Sequence, residues 1–256
     1  MVRRYPIPNE VSKFFDVSSS SWRDFAWMIA RPMMRLMRAI ANLNGTWRLR
    51  RLGYLDFTDD RPQGALAPQG GDLWYLYRLV RERKPQLVFE LGSGCSTVIL
   101  AQALYDNTRE DGDKAGKIIS LDGQADWASV TQETLPEHLV AQCEIRHVPA
   151  VKEDRGADLG FHYEHHPDGS PDFLYIDGPS LQPGRKICFD ALHLEARFRQ
   201  KFLMVVDGRH DTVRYLRKHL SKTYRVTRNR WLHNTQFELL PGSTDSMNRE
   251  PEQFLT

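Results

Sequence analysis

Cysteine is scarce: the chain holds three, Cys95, Cys143 and Cys188, spaced 45–48 residues apart with no CxxC pair. An odd count so widely spread excludes a disulfide framework and a zinc knuckle, and points to reduced core thiols in a cytoplasmic protein. Long apolar runs are also missing. The first apolar stretch is interrupted by Arg23, Arg31, Arg35 and Arg38, so no secretory signal is expected. No stretch approaches the ~20 uncharged residues of a membrane-spanning helix. Gly-X-Y triplets, sustained heptads and internal periods are absent, which removes collagen, coiled-coil and repeat architectures. What remains is 256 residues, 41% hydrophobic and 27% charged, enough for one large domain or a domain with an appendage.

The formal net charge of +2 conceals an asymmetry. Residues 1–51 carry ten Lys and Arg against Glu10, Asp16 and Asp24, which leaves the rest mildly acidic. Within this basic piece, Ser21 to Leu43 has helical periodicity. Phe25, Ile29, Met33, Leu36, Ile40 and Leu43 recur at three- and four-residue steps and form one apolar stripe, with the arginines opposite and Pro32 as a kink or break. The stripe is expected to cap the main domain. A second reading is a basic amphipathic helix whose residues 21–51 meet a membrane surface or an acidic partner, making the protein peripherally membrane-associated. Nucleic acid is not expected, because no aromatics interleave the basic residues on a recognisable scaffold.

From Gly53 to Gly71 the composition is that of a linker or long loop. Beyond it, apolar segments alternate with helical patterns. Asp72 is placed to N-cap a helix carrying Leu73, Leu76, Tyr77 and Val80, and Asp126 to cap another with Trp127 and Val130. Leu87–Phe89, Ile118–Leu121, Cys143–Val148, Phe173–Ile176 and Phe202–Val206 read as strands, and Ile187, Ala191, Leu194 and Phe198 as one helix stripe. Such alternation implies an α/β fold with a mostly parallel sheet and helices on both faces. Tyr224–Trp231 and Thr235–Leu240 are joined by three residues, which requires an antiparallel hairpin. The expected division is a basic helical extension or cap over 1–60, the α/β domain over 61–241, and a polar tail over 242–256.

The densest chemical signal is Glu90-Leu91-Gly92-Ser93-Gly94-Cys95-Ser96-Thr97, between a strand and a helix. Two glycines let the backbone approach a ligand, and amides at a helix start favour a carboxylate or phosphate. A dinucleotide fingerprint needs a third glycine where Thr97 stands, and an acid ~20 residues on, whereas Asp122 lies further along. The acid before the turn, with further acids Asp122, Asp177 and Asp207 ending successive strands, resembles the class I S-adenosylmethionine-dependent methyltransferases, in their O-methyltransferase-like branch. The resemblance covers about Asp72 to Leu240, and Ser96 stands where a third glycine is common.

This resemblance implies a Rossmann-like sheet of seven strands with a C-terminal antiparallel hairpin, and S-adenosylmethionine as cofactor. Glu90 then organises the turn and approaches the methionine amine, the Gly92, Ser93 and Gly94 backbone lines the cofactor, and Ser96 or Thr97 caps the helix and offers hydroxyls to the carboxylate. Asp122 accepts from both ribose hydroxyls, a task for an ionised carboxylate. Asp177 faces the reacting methyl as a general base or a metal ligand, and His210 is a second candidate base. Asp177 with Asp207 suits Mg²⁺, although Gly208 occupies the place where a third ligand is usual. Arg185 and Arg209 are either anion anchors or surface arginines. His162, His165 and His166 fall in a segment from Asp154 to Pro171 that reads as a flexible loop beside the site, with no carboxylate spaced to complete a metal set. The implied activity is methyl transfer to an oxygen of a small molecule or saccharide. Two rival readings stand beside it: an NAD-dependent oxidoreductase, and a catalytically silent methyltransferase-like module docking through its basic face.

Overall fold

A computed structural model describes residues 19–58, 68–112, 116–229 and 231–242; the side chains of 19–31, residues 59–67 of the expected linker and the tail beyond 242 lie outside the described residues. The chain runs α1 (Ser19–Arg51), α2 (Gly70–Arg83), β1 (Leu87–Leu91), α3 (Cys95–Asp111), β2 (Lys117–Asp122), α4 (Ala125–Glu133) and β3 (Cys143–His147). It continues with β4 (Ala150–Arg155), β5 (Asp158–Tyr163), β6 (Phe173–Ile176), β7 (Ile187–Cys188), α5 (Asp190–Leu194), β8 (Leu203–Asp207), α6 (His210–His219), β9 (Tyr224–Asn229) and β10 (Asn234–Leu239). Seven strands form one sheet in the order β3-β2-β1-β6-β8-β10-β9, parallel from β3 to β8 and closed by the antiparallel β10–β9 hairpin.

Strand alternation sorts the core into two layers. Phe89, Leu91, Ile119, Leu174, Met204 and Val206 pack on one face with Leu194 of α5 and Leu216 of α6. Their neighbours Val88, Ile118, Phe173, Leu203 and Val205 pack on the other with Leu76 of α2 and Leu100 and Leu104 of α3. Burial on both faces explains why these strands are unbroken apolar runs rather than alternating ones. Strand order reverses between β1 and β6, so a crevice opens beyond their carboxyl ends.

Several expectations are corrected. The segment expected as a loop, Asp154 to Pro171, is largely strand as far as Tyr163: β4 and β5 form an antiparallel hairpin that β7 joins as a separate three-stranded sheet. Ile187 belongs to β7, and the helix after it is only the short α5. The caps are Gln69 and Gln124; Asp72 and Asp126 lie inside the first turns of α2 and α4. Pro32 does not divide α1.

The stripe of α1 points the opposite way from the expected one. Met33, Leu36, Ile40 and Leu43 are 54%, 60%, 50% and 72% exposed. The face turned to α2 is built instead from small and polar residues around Gly45, with Leu49 buried against Leu73. A Cβ on Gly45 would lie 2.1 Å from the Gly70 carbonyl oxygen, so two backbones touch there. Asn42 accepts from the Gly71 amide at 3.0 Å and donates to the Gln69 side chain at 2.6 Å, satisfying the start of α2. Backbone proximity and these hydrogen bonds select the small-residue face over the more apolar one. Among the described residues, no helix is long and apolar enough to cross a membrane.

Candidate active site

The glycine turn is held by the two strand ends beside it. Gly92 has φ +99°, and a Cβ there would lie 2.7 Å from the Gly178 nitrogen and 2.9 Å from its Cα. Only glycine fits both the backbone angle and the space. The Ser93 amide and hydroxyl donate to Asp122 Oδ2 at 2.9 and 2.8 Å, and the Gln124 amide donates to Oδ1 at 2.9 Å. Asp122 therefore fixes the turn from β2 while still facing the crevice.

Beneath the turn runs a second chain of hydrogen bonds. The Gly94 amide donates to Thr97 Oγ1 at 2.9 Å, and that hydroxyl donates to Glu90 Oε2 at 2.5 Å. Glu90 and Thr97 are completely buried and neither lines the crevice. Thr97 thus supports the helix start from the third position, with Gly94 as the cap residue. Burial pushes the Glu90 carboxyl up to about 7, although the hydroxyls of Ser96, Thr97 and Ser120 pull it down. Glu90 holds Thr97 from below the turn and does not line the cleft.

The crevice is an open cleft of about 490 Å³, bounded by the turn, Asp122, Trp127, Tyr163, Asp177 and the start of α2. Three further carboxylates enter it: Asp72 from α2, Asp177 after β6 and Asp207 at the end of β8. Desolvation raises Asp72 and Asp177 to about 7 each, with repulsion from Asp207 adding to both; Arg38 opposes the rise at Asp72 and Arg209 at Asp177. Asp207 is raised too, chiefly by desolvation, against the Tyr175 hydroxyl that donates to it at 3.1 Å. Asp72 Oδ1 and the Tyr163 hydroxyl are buried without a hydrogen-bond partner. A cleft lined by acids, with orphaned polar atoms in its wall, suits a ligand carrying positive charge and hydroxyls.

Of the other residues singled out in the sequence, Ser93, Gly94 and Ser96 line the cleft. His210 does not: it is exposed at the first position of α6, with its ring 6.4 Å from that of His233. Arg185 pairs with Asp154 on the small sheet. Arg209 is no surface arginine; it is 7% exposed and donates to the Asp177 carbonyl, leaving Nε and Nη1 without partners. Sequence reasoning missed Asp72, Tyr163 and Tyr175 as cleft residues and read Trp127 only as part of a helix face. Asp72 carries the one available signal, an acid at a helix start facing the glycine turn, and helix capping explained it away.

No family model matches this chain, and no curated protein matches it. Solved structures do. A putative O-methyltransferase from Klebsiella pneumoniae superposes with a TM-score of 0.50 at 15% identity, over 79% of this chain and 99% of that one. An SAH-bound methyltransferase from Podospora anserina gives 0.49 at 12% identity, over 74% and 87%. An O-methyltransferase from Bacillus cereus in complex with SAH gives 0.45 at 13%, over 75% and 90%. Identities this low speak to architecture alone. With its strand order, terminal hairpin and glycine turn at the point of reversal, the chain carries the Rossmann-like fold of the class I methyltransferases.

Proposed function

We propose that this chain is an S-adenosylmethionine-dependent methyltransferase acting on an oxygen of a small molecule or saccharide. One observation carries the reading: the glycine turn stays open toward the cleft beside Asp122. A Cβ on Gly94 would meet nothing within 4 Å, so the space above the turn is free for a ligand that rests on backbone. Ser93, Gly94 and Ser96 supply polar atoms along that floor, and Asp122 stands at its side. When bound, S-adenosylmethionine supplies a methyl group already activated on a sulfonium. The negative field of Asp72, Asp177 and Asp207 favours a cation at that place.

The remaining chemistry belongs to the protein: alignment, exclusion of water and a proton acceptor. Asp177 is assigned the last role. Its carboxyl, raised to about 7 by burial, matches the acidity range in which a general base works near neutral pH. Asp177 and Asp207 both line the cleft, and proton transfer at Asp177 is the role assigned to the pair. Leu73 and Trp127 supply apolar wall on either side of the carboxylates.

Calorimetry with S-adenosylhomocysteine and with NAD tests the cofactor. Binding of the former in the micromolar range with no NAD uptake is expected, and tighter NAD binding overturns the reading. Asp122→Asn removes the charge while keeping an acceptor for the Ser93 amide, and is expected to weaken S-adenosylhomocysteine roughly tenfold, the scale of one charge-assisted hydrogen bond. Unchanged affinity removes Asp122 from the site. Cofactor binding without methyl uptake by any fraction of a cell extract identifies a silent module instead.

A further inference from the structure

On the far face of the β4–β5 hairpin, three side chains from three segments converge. Glu153 lies on β4, His162 on β5 and His193 on α5. Val151 is paired with His162 and Glu153 with Gly160, so Glu153 and His162 are diagonal neighbours on one face of the hairpin. Glu153 Oε2 stands 2.9 Å from His162 Nδ1 and 2.9 Å from His193 Nε2. The two imidazole rings are 4.8 Å apart, and the three donor atoms lie within 4.8 Å of one another. His162 Nδ1 is buried and, despite its proximity to the carboxylate, forms no hydrogen bond of proper geometry. The other carboxylate oxygen, Oε1, is taken by Arg155 Nε at 2.5 Å, which leaves Oε2 as the atom turned to both rings.

We propose that Glu153, His162 and His193 form a Zn²⁺ site that clasps the small sheet to α5. Two imidazoles and one carboxylate are the borderline donor set that Zn²⁺ favours, whereas Mg²⁺ and Ca²⁺ prefer oxygen ligands throughout. Glu153, His162 and His193 side chains keep 18%, 24% and 34% of their surface, so an entry path and room for a water as fourth ligand exist. Arg155 is the cation beside the three donors: its Nη2 stands 3.4 Å from His193 Nε2, and its guanidinium lies over the Phe189 ring. None of the three ligands lines the cleft, so the site is separate from the proposed methyl-transfer centre. Its influence is structural. Tyr163, next to His162, is a cleft residue, and its amide donates at 2.8 Å to Asp190 at the start of α5. A metal joining β5 to α5 therefore stiffens the frame from which Tyr163 reaches the cleft.

The test uses the full chain after chelator treatment, titrated with Zn²⁺ by calorimetry and with Co²⁺ by absorption. One equivalent per chain is expected, with Co²⁺ bands of four-coordinate intensity and a higher unfolding midpoint in excess Zn²⁺. His162→Ala and His193→Ala are each expected to weaken Zn²⁺ by at least about 100-fold, since even groups outside the coordination sphere contribute 10–100-fold. Glu153→Gln, nearly isosteric, is expected to do the same with an unchanged far-ultraviolet dichroism spectrum, so loss of binding is separable from loss of fold. Exposed His165, adjacent in sequence but outside the set, is the control, and His165→Ala is expected to bind as the parent does. Absence of stoichiometric uptake, uptake undiminished in His193→Ala, or equal loss in His165→Ala overturns the proposal.

Discussion

Asp177→Asn is expected to lower methyl transfer by about 10²–10⁴-fold, the usual contribution of a positioned general base. The substitution keeps size and shape, so cofactor affinity should change little and the loss should fall on turnover. The pH profile separates this from a structural effect. The Asp177 carboxyl is raised from 3.8 to about 7 in the folded chain. A base must be ionised to act, so the rate climbs as pH rises through about 7 and levels off above it. In Asp177→Asn that limb should vanish. A variant that keeps the limb removes Asp177 from the proton path.

The same shift has a stability counterpart of fixed sign. Between about pH 4 and 7 the folded chain holds a proton at Asp177 that the unfolded chain has released. Stability therefore falls as pH rises through that window, and the deficit persists above it. Asp72, also raised to about 7 by burial, adds in the same direction. Asp177→Asn is accordingly expected to be more stable than the parent at pH 8, on the order of 1–3 kcal/mol, and nearly equal to it at pH 4.

The second large effect concerns two glycines of one turn. Gly92→Ala places a methyl in a backbone region unfavourable to side chains and within 3.0 Å of Asp177 and Gly178 backbone atoms. Neither strand end can retreat, because the Asp177 amide is bonded to the Leu91 carbonyl at 2.9 Å and the Gly92 amide to the Leu121 carbonyl at 2.8 Å. A loss of about 3 kcal/mol or more is expected, roughly 6–12 °C in Tm for a domain of this size. Gly94→Ala is expected to behave differently. Its methyl enters open space, so Tm stays near that of the parent while S-adenosylhomocysteine binding weakens about tenfold or more. Thermal unfolding and calorimetry on the two variants decide the matter. Should Gly94→Ala bind the ligand as tightly as the parent, the cofactor does not rest on this turn.

The parts of this fold that sequence reveals are those governed by local physics. β1, β2, β6 and β8 are short apolar runs because both faces are buried, and each run ends at or near an acid, so Asp122, Asp177 and Asp207 were locatable with the glycine turn. What stayed hidden depends on distant partners. The segment from Asp154 to Pro171, with Asp154, Arg155, Asp158, Glu164 and Asp168, reads as loop, yet its first part is strand with a solvated outer face, and β7, more than twenty residues on, completes the sheet. Which carboxylate faces His162 is set by strand pairing and not by spacing: Glu153 comes from the neighbouring strand and His193 from a helix beyond β7. Helix α1 was legible as a helix, but which side it turned inward depended on Gly45 meeting Gly70, a contact no periodicity encodes.

That contact between Gly45 and Gly70 links two distant parts of the molecule. Gly70 stands two residues before Asp72, which overhangs the cleft, and Arg38, one helical stretch earlier on α1, approaches Asp72 to 4.0 Å. The basic helix thereby acts as the keel of the cleft: without lining it, α1 sets the height of one wall and the charge balance of one of its acids.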